Sequence, residues 1–255
     1  MLRGCANARR LRPSERLTAP PMAKYPRYAI YFVTARGDVL DRFGAELLGY
    51  DAWTGEDLPF SSGVTEAEPD WHELTADPRK YGFHATLKAP IMLAEGRTEA
   101  ELLTACAAFA ERPRRIPVIV PAVDAISGFI AVIPTERSIE LEQFAADCVI
   151  AFDGFRAPLT AEDRARRNPA RLSERQRDYL DRWGYPYVME EFRFHMTLTG
   201  RIGSPRRERV VSMLRDRFAA TGLKRFAIDA IALFRQDDAT SRFRIIDRWQ
   251  LRDET

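Results

Sequence analysis

A fold of mixed strands and helices, built as one large domain or as two similar lobes, is what this sequence predicts. Its 255 residues, at about 100–200 residues per domain, can bury a core without disulfide or metal staples. Short runs of aromatic and β-branched residues alternate with stretches whose apolar positions recur at helical spacing. One phrase also occurs twice, as Tyr81-Gly82-Phe83-His84-Ala85-Thr86-Leu87 and Phe192-Arg193-Phe194-His195-Met196-Thr197-Leu198, which points to two related halves.

Residues 1–24 carry five arginines against the single acid Glu15, three prolines and no sustained apolar period. They are expected to form a disordered or non-native N-terminal extension, with Met22 standing just before the first strand and no apolar region of a secretory signal. Tyr28 to Val33 is rich in aromatic and branched residues and predicts a strand. Val39, Leu40, Phe43 and Leu47 then predict a helix over 38–48 that stops at Gly49. The polar stretch 51–77, with Pro59, Ser61-Ser62-Gly63 and Pro69, predicts a long surface loop.

A strand is expected over 81–87, followed by a helix opened by Thr98, with Glu101 at capping-box spacing. Strands over 116–120 and 129–133 precede a helix in which Leu141, Phe144, Ala145, Cys148, Val149 and Phe152 share one stripe. Cys106 and Cys148 thus belong to helical core stripes, and free cysteines in such places behave as inert apolar residues. The charged stretch 156–182 predicts helices, the second opened by Ser173 and Gln176 and closed by Gly184. Its arginines, including Arg164, Arg166, Arg167, Arg171, Arg175 and Arg177, are diluted by acids, which favours a solvated connector over a phosphate-binding surface. A strand over 191–198, a helix with Pro205 at its first position and two strands near 226–234 and 243–251 complete the chain.

Thirty-nine basic residues against thirty-seven acidic leave a net charge of +2, too balanced for a protein that grips nucleic acid mainly by bulk electrostatics. No run approaches the ~18 consecutive apolar residues of a membrane span, so no membrane partner is expected. Three cysteines without a CxxC pair indicate neither a zinc knuckle nor a disulfide framework, and a reducing, cytoplasmic setting fits them best. Histidine, the side chain that titrates near neutral pH, occurs only at positions 72, 84 and 195.

Two of those three histidines occupy equivalent places in the repeated phrase, 111 residues apart, whereas His72 lies in the polar stretch without a companion threonine. On a strand, side chains alternate faces. His84 and Thr86 therefore share one face with Phe83, Ala85 and Leu87 behind them, and His195 and Thr197 repeat the arrangement. Brought face to face, two such strands would enclose a cleft with two imidazoles and two hydroxyls. Attack of water on a phosphodiester needs a base for the water's proton and an acid for the leaving alkoxide, and two opposed histidines meet that need. Hydroxyls of Thr86 and Thr197 can donate to the nonbridging oxygens. Lys88 and Arg193 fall on the histidine faces by simple alternation and could neutralise phosphate. Tyr28 and Tyr31 point to opposite faces, so at most one lines the cleft; Tyr81, Tyr185 and Tyr187 are further candidates for its walls.

The His84-Ala85-Thr86-Leu87 and His195-Met196-Thr197-Leu198 pair resembles the two H-x-T-hydrophobic signatures of the two-histidine (2H) phosphoesterase superfamily, which includes cyclic phosphodiesterases and bacterial RNA 2',3'-cyclic phosphodiesterases. Four longer blocks, at 27–32, 77–90, 182–188 and 192–201, resemble the branch named for phosphonate metabolism and often encoded beside carbon-phosphorus lyase genes. The resemblance covers about residues 25–252. It implies an α+β fold over 25–255 in which two pseudo-symmetric antiparallel-sheet lobes, backed by helices and bearing one signature each, surround a central cleft. It implies no metal or other cofactor. Its substrate would be a small cyclic phosphate, and the gene company points to a ribose 1,2-cyclic phosphate 5-phosphate.

RNA is the alternative partner, either as a 2',3'-cyclic phosphodiester substrate or as a single strand held without turnover, but binding of that kind wants a continuous basic track. A metal hydrolase is disfavoured because neither H-x-H nor HExxH spacing occurs, and no GxSxG nucleophile elbow is present. No obligate protein partner is evident from the sequence.

Overall fold

The computed structural model describes residues 25–254, so the extension expected over 1–24 lies outside the described residues. Strand β1 (Arg27–Phe32) and helix α1 (Val39–Leu48) form where their apolar patterns place them. Helix α1 ends on Gly49, whose φ of 66° is the left-handed conformation that a residue without Cβ adopts cheaply.

The stretch expected to be a surface loop is instead anchored. It contains the two-residue strands β2 (Tyr50–Asp51) and β3 (Glu56–Asp57) and the one-turn helices α2 (Val64–Ala67), α3 (Trp71–Leu74) and α4 (Ala76–Arg79). Val64 and Trp71 are fully buried, and the Trp71 indole N–H donates to the Leu47 carbonyl at 2.8 Å. Single bulky residues in polar text leave no periodic signal, yet one buried indole with its N–H satisfied can fix a turn to the core.

Strand β4 (Ala85–Ile91) starts four residues later than expected, because Gly82 at φ 74° turns the chain before it. Helix α5 (Glu99–Ala110) carries the Thr98–Glu101 capping box, an arrangement whose N-cap is typically worth about 1 kcal/mol. Strand β5 (Val118–Ile119) is shorter than expected, and the unexpected β6 (Pro121–Ile126) forms a hairpin with β7 (Phe129–Pro134). β6 begins with proline and lies at the sheet edge, where a missing N–H is tolerated.

Helix α6 (Ile139–Phe152) buries the stripe read from the sequence, with Cys148 fully enclosed like Cys106 of α5. The charged connector folds as α7 (Ala161–Arg166), a 3₁₀ turn over Pro169–Arg171 and α8 (Glu174–Trp183), the last opened by the Ser173–Gln176 capping box. Strand β8 is only Met196–Thr197, preceded by a 3₁₀ turn over Met189–Glu191. Helix α9 (Arg206–Ala220) follows Pro205, which occupies the N-cap and not the first helical position; β9 (Phe226–Ala227), β10 (Ala230–Gln236) and β11 (Arg244–Gln250) close the chain.

Seven strands form one antiparallel sheet in the order β11-β10-β1-β4-β8-β7-β6. Four belong to one half and three to the other, and the halves meet at β4 and β8 through a single register pair, Ala85 with Met196. The fold is thus α+β and two-halved, but the signature strands lie side by side in one sheet and do not face each other. One sheet face, with Ile30, Phe32, Ala85, Leu87, Val132, Met196 and Leu233, packs on the helices in the main core. On the other face Ala29, Tyr31, Val33, Ala232 and Phe234 form a smaller cluster with Tyr50 and Phe243. No helix among the described residues is long and apolar enough to cross a membrane.

Candidate active site

The site follows from the β4–β8 register. Ala85 and Met196 are paired and both turn into the main core, so their neighbours at 84, 86, 195 and 197 turn to the opposite face. In an antiparallel pair the register runs in opposite senses, and one step either way sets His84 across from Thr197 and Thr86 across from His195. Directly opposed residues stand about 5 Å apart, and the diagonal that joins the two histidines spans roughly 7–8 Å. All four side chains are half-buried, with access to solvent on this face. Ala131 pairs with Thr197, and Tyr31 pairs with Thr86 across β1.

Each imidazole is oriented by its own chain. His84 Nδ1 bonds to the Gly82 carbonyl oxygen at 2.9 Å, and His195 Nδ1 bonds to the Arg193 carbonyl oxygen at 2.7 Å. A carbonyl only accepts, so Nδ1 is the donor in both rings and Nε2 carries the lone pair. Thr86 Oγ1 lies 3.3 Å from His84 Nε2. The repeated phrase therefore repeats a hydrogen bond as well as residues, from the ring to the carbonyl two positions earlier. In the first half this needs glycine: at Gly82 the φ is 74°, and a Cβ would meet the Ala52 Cβ at 2.7 Å.

The surroundings of the rings differ. Tyr31 stacks on His84 with centroids 3.8 Å apart, Tyr81 lies 6.0 Å from the same ring, and Phe129 tilts against His195 at 5.5 Å. Burial drives the His84 pKa down to about 4, with the nearby His195 charge adding to the fall and the Gly82 bond opposing it. Burial also lowers that of His195, against the bond from Arg193. Both rings are therefore neutral at neutral pH in the free protein. An arriving phosphate anion favours the imidazolium form of whichever ring it approaches.

The structure sorts the remaining candidates. Tyr31 belongs to the site, whereas Tyr28 points into the main core with its hydroxyl donating to Glu99 at 2.8 Å. Tyr81 stacks on Phe243 beside His84, and Tyr185 and Tyr187 meet edge to face at 5.5 Å. Lys88 is not brought to the site. Its ammonium is buried, bonded to Asp153 at 2.6 Å and to the Val149 carbonyl at 3.2 Å, because β1–β4 register shifts upset the simple alternation. Arg193 is exposed and contributes its carbonyl to His195. His72 sits exposed on α3, against Phe60.

Among proteins of known sequence, the chain matches the family described as protein of unknown function (DUF1045) over residues 86–244. It is 39% identical over 173 residues to the ribose 1,5-bisphosphate phosphokinase PhnN of Janthinobacterium sp. (strain Marseille), covering 68% of this chain and 38% of that protein. With the protein of the same name from Laribacter hongkongensis (strain HLHK9) it shares 32% identity over 224 residues, 86% of this chain and 50% of the other. The chain thus spans half or less of the length of these curated relatives. Among solved structures it is similar to E. coli LigT complexed with NADP+, at 13% identity and a TM-score of 0.40 over 90% of this chain and 99% of that one. A structure described as a phosphoesterase is similar at 14% identity and a TM-score of 0.36, over 90% and 99% of the two chains. The family match spans more than half of the chain, which belongs to the DUF1045 family.

Proposed function

We propose that this chain hydrolyses a small cyclic phosphodiester without a metal, using His84 and His195 as general base and general acid. The observation that carries the reading is the Ala85–Met196 register, which gathers both imidazoles and both threonine hydroxyls on one face. In the reaction, one Nε2 takes a proton from water as its oxygen bonds to phosphorus. On the far side the other Nε2–H gives its proton to the ring oxygen as the phosphorus–oxygen bond breaks, and a phosphomonoester results. A diagonal of roughly 7–8 Å leaves room for phosphorus between the rings and suits in-line displacement. Thr86 and Thr197, on the other diagonal, donate to the nonbridging oxygens and stabilise their charge in the transition state.

Phosphorylated ribose is the favoured substrate, in a setting of phosphonate catabolism. The names of the curated relatives, which specify a ribose 1,5-bisphosphate, support a sugar phosphate of this size. A product assay in excess EDTA tests the proposal with a ribose 1,2-cyclic phosphate, nucleoside 2',3'-cyclic phosphates and RNA ending in a cyclic phosphate. Ring opening of the sugar substrate is expected, with His84→Ala and His195→Ala each losing roughly 10²–10⁴ in turnover while remaining folded. Unchanged turnover in both variants overturns the assignment, and preferential opening of the RNA end replaces the substrate.

A further inference from the structure

One side chain on the site face takes no part in the proton transfers proposed above. Tyr31 of β1 pairs with Thr86 of β4, and paired residues on neighbouring strands share a face, so its side chain stands with those of His84 and Thr86. The ring stacks on the His84 imidazole, with 3.8 Å between centroids and 24° between planes, and Phe234 packs against it at 4.8 Å. Only 1% of the residue is exposed.

Tyr28 and Tyr50 are buried as deeply, and the protein satisfies both of their hydroxyls. Tyr28 donates to Glu99 at 2.8 Å and Tyr50 to the Phe243 carbonyl at 2.8 Å, whereas the Tyr31 hydroxyl bonds to none of the described residues. Its oxygen is not sealed in either: among the described residues, the side-chain atoms enclosed without a partner are Thr34 Oγ1, Arg235 Nε and Asp237 Oδ1. A narrow opening therefore remains at the phenol oxygen. Side chains on a strand stand roughly perpendicular to the sheet, so the outer ends of the two stacked rings lie on the same side of it. Phenylalanine would give the same stack, and a buried hydroxyl left unpaired costs about as much as a lost hydrogen bond. The oxygen is accounted for by a partner that arrives from outside.

We propose that the Tyr31 hydroxyl donates a hydrogen bond to a phosphoryl oxygen of the bound substrate, which makes Tyr31 a phosphate-binding residue beside Thr86; the assignment rests on the cyclic phosphodiesterase reading above. Burial holds the phenol pKa well above its ordinary value, with Tyr81 and Tyr185 adding to the rise and Arg27 and Arg167 opposing it, so the group stays a neutral donor wherever histidines titrate. A neutral donor facing an anion still forms a charge-assisted bond. It does so without placing a positive charge beside His84, where a lysine or arginine would make protonation of the ring harder.

Tyr31→Phe tests this by removing one oxygen and keeping the stack. In that variant kcat/KM for a ribose 1,2-cyclic phosphate should fall at least about tenfold, as loss of one charge-assisted hydrogen bond implies. Two further readouts separate substrate binding from a structural role. The urea midpoint should not fall, because the oxygen has no partner in the described chain to lose, whereas Tyr28→Phe should lower it and leave turnover intact. The pH profile of kcat/KM should keep its shape, because the phenol carries no reacting proton. Unchanged kcat/KM in Tyr31→Phe overturns the proposal and leaves the hydrolytic reading standing. A lowered midpoint or a shifted profile also overturns it, since the loss then traces to the fold or to His84. Should the chain open no cyclic phosphate, calorimetric titration with inorganic phosphate decides. Affinity at least about fivefold weaker in Tyr31→Phe supports the site while the hydrolytic reading fails, and absent or equal binding overturns the proposal.

Discussion

Acid should weaken this protein through His84 in a way that a single substitution removes. The ring titrates at about 4 in the folded chain against 6.5 as the ordinary value, so between those pH values the unfolded chain binds a proton that the folded chain does not. The stability this contributes is fully present above pH 6.5 and is lost as pH falls toward 4. At 1.36 kcal/mol per unit, the full span corresponds to roughly 3 kcal/mol, of which about 2 kcal/mol is gone on passing from pH 7.5 to pH 5. Carboxylates titrate over the same range, so the comparison needs a variant in which only the imidazole is missing. His84→Gln supplies it, and urea unfolding followed by the fluorescence of the four tryptophans gives the stability at each pH. The wild-type chain should lose about 2 kcal/mol more than the variant between pH 7.5 and pH 5. An equal loss in both would mean that burial does not hold His84 neutral, and the electrostatic account of the site would fail with it.

Further outcomes follow from the same geometry. Because burial lowers both histidine pKa values, kcat/KM for a cyclic phosphate should be greatest below pH 6.5 and fall as pH rises; a profile flat from pH 5 to pH 9 contradicts shared acid–base catalysis. Gly82→Ala should cost about 1–2 kcal/mol for its left-handed backbone and also reduce turnover, since the Gly82 carbonyl holds His84; Gly222→Ala, equally left-handed but in open space, should leave turnover intact. Lys88→Met should destabilise by about 1–3 kcal/mol, less than for a stranded buried charge because Asp153 keeps Arg156 at 2.9 Å, with KM unchanged; a tenfold rise in KM would place Lys88 on the substrate. Cys106 and Cys148 are fully buried, and burial pushes the Cys106 thiol up to about 12, so a thiol reagent at pH 8 should reach both only after denaturation.

The sequence made the site more legible than the connections around it. His84, Thr86, His195 and Thr197 could be read because duplication in register is a signal that survives uncertainty over where each strand begins. The strand bounds themselves were harder: Gly82 turns the chain beside His84, and β8 pairs over only two residues, so the expected strands over 81–87 and 191–198 are shifted or cut short. Lys88 was misplaced because period-two alternation cannot foresee the β1–β4 register shifts or a partner such as Asp153, 65 residues away. Which arginines of the charged connector find an acid, as Arg164 finds Asp181 and Arg175 finds Glu191, depends on how α7 and α8 pack, and spacing along the chain does not reveal it. Tyr31 was half legible, since alternation separates it from Tyr28 but does not say which face carries the histidines.

The antiparallel join of the two halves also bears on how a duplicated phrase would serve the complementary roles proposed above. Parallel strands in register would set His84 beside His195 at about 5 Å, where two imidazolium charges repel and no phosphorus fits between them. Antiparallel pairing sets each histidine against the other half's threonine and moves the imidazoles to the diagonal. Their charges still interact, as the downward influence of His195 on His84 shows, so protonation of one ring disfavours protonation of the other. Once one ring is protonated, a pair that resists double protonation keeps the other as a base, which is the state that the proposed hydrolysis requires. A phosphate anion bound beside either ring favours its imidazolium form, so in the reaction proposed above the substrate itself would help to assemble the catalytic state.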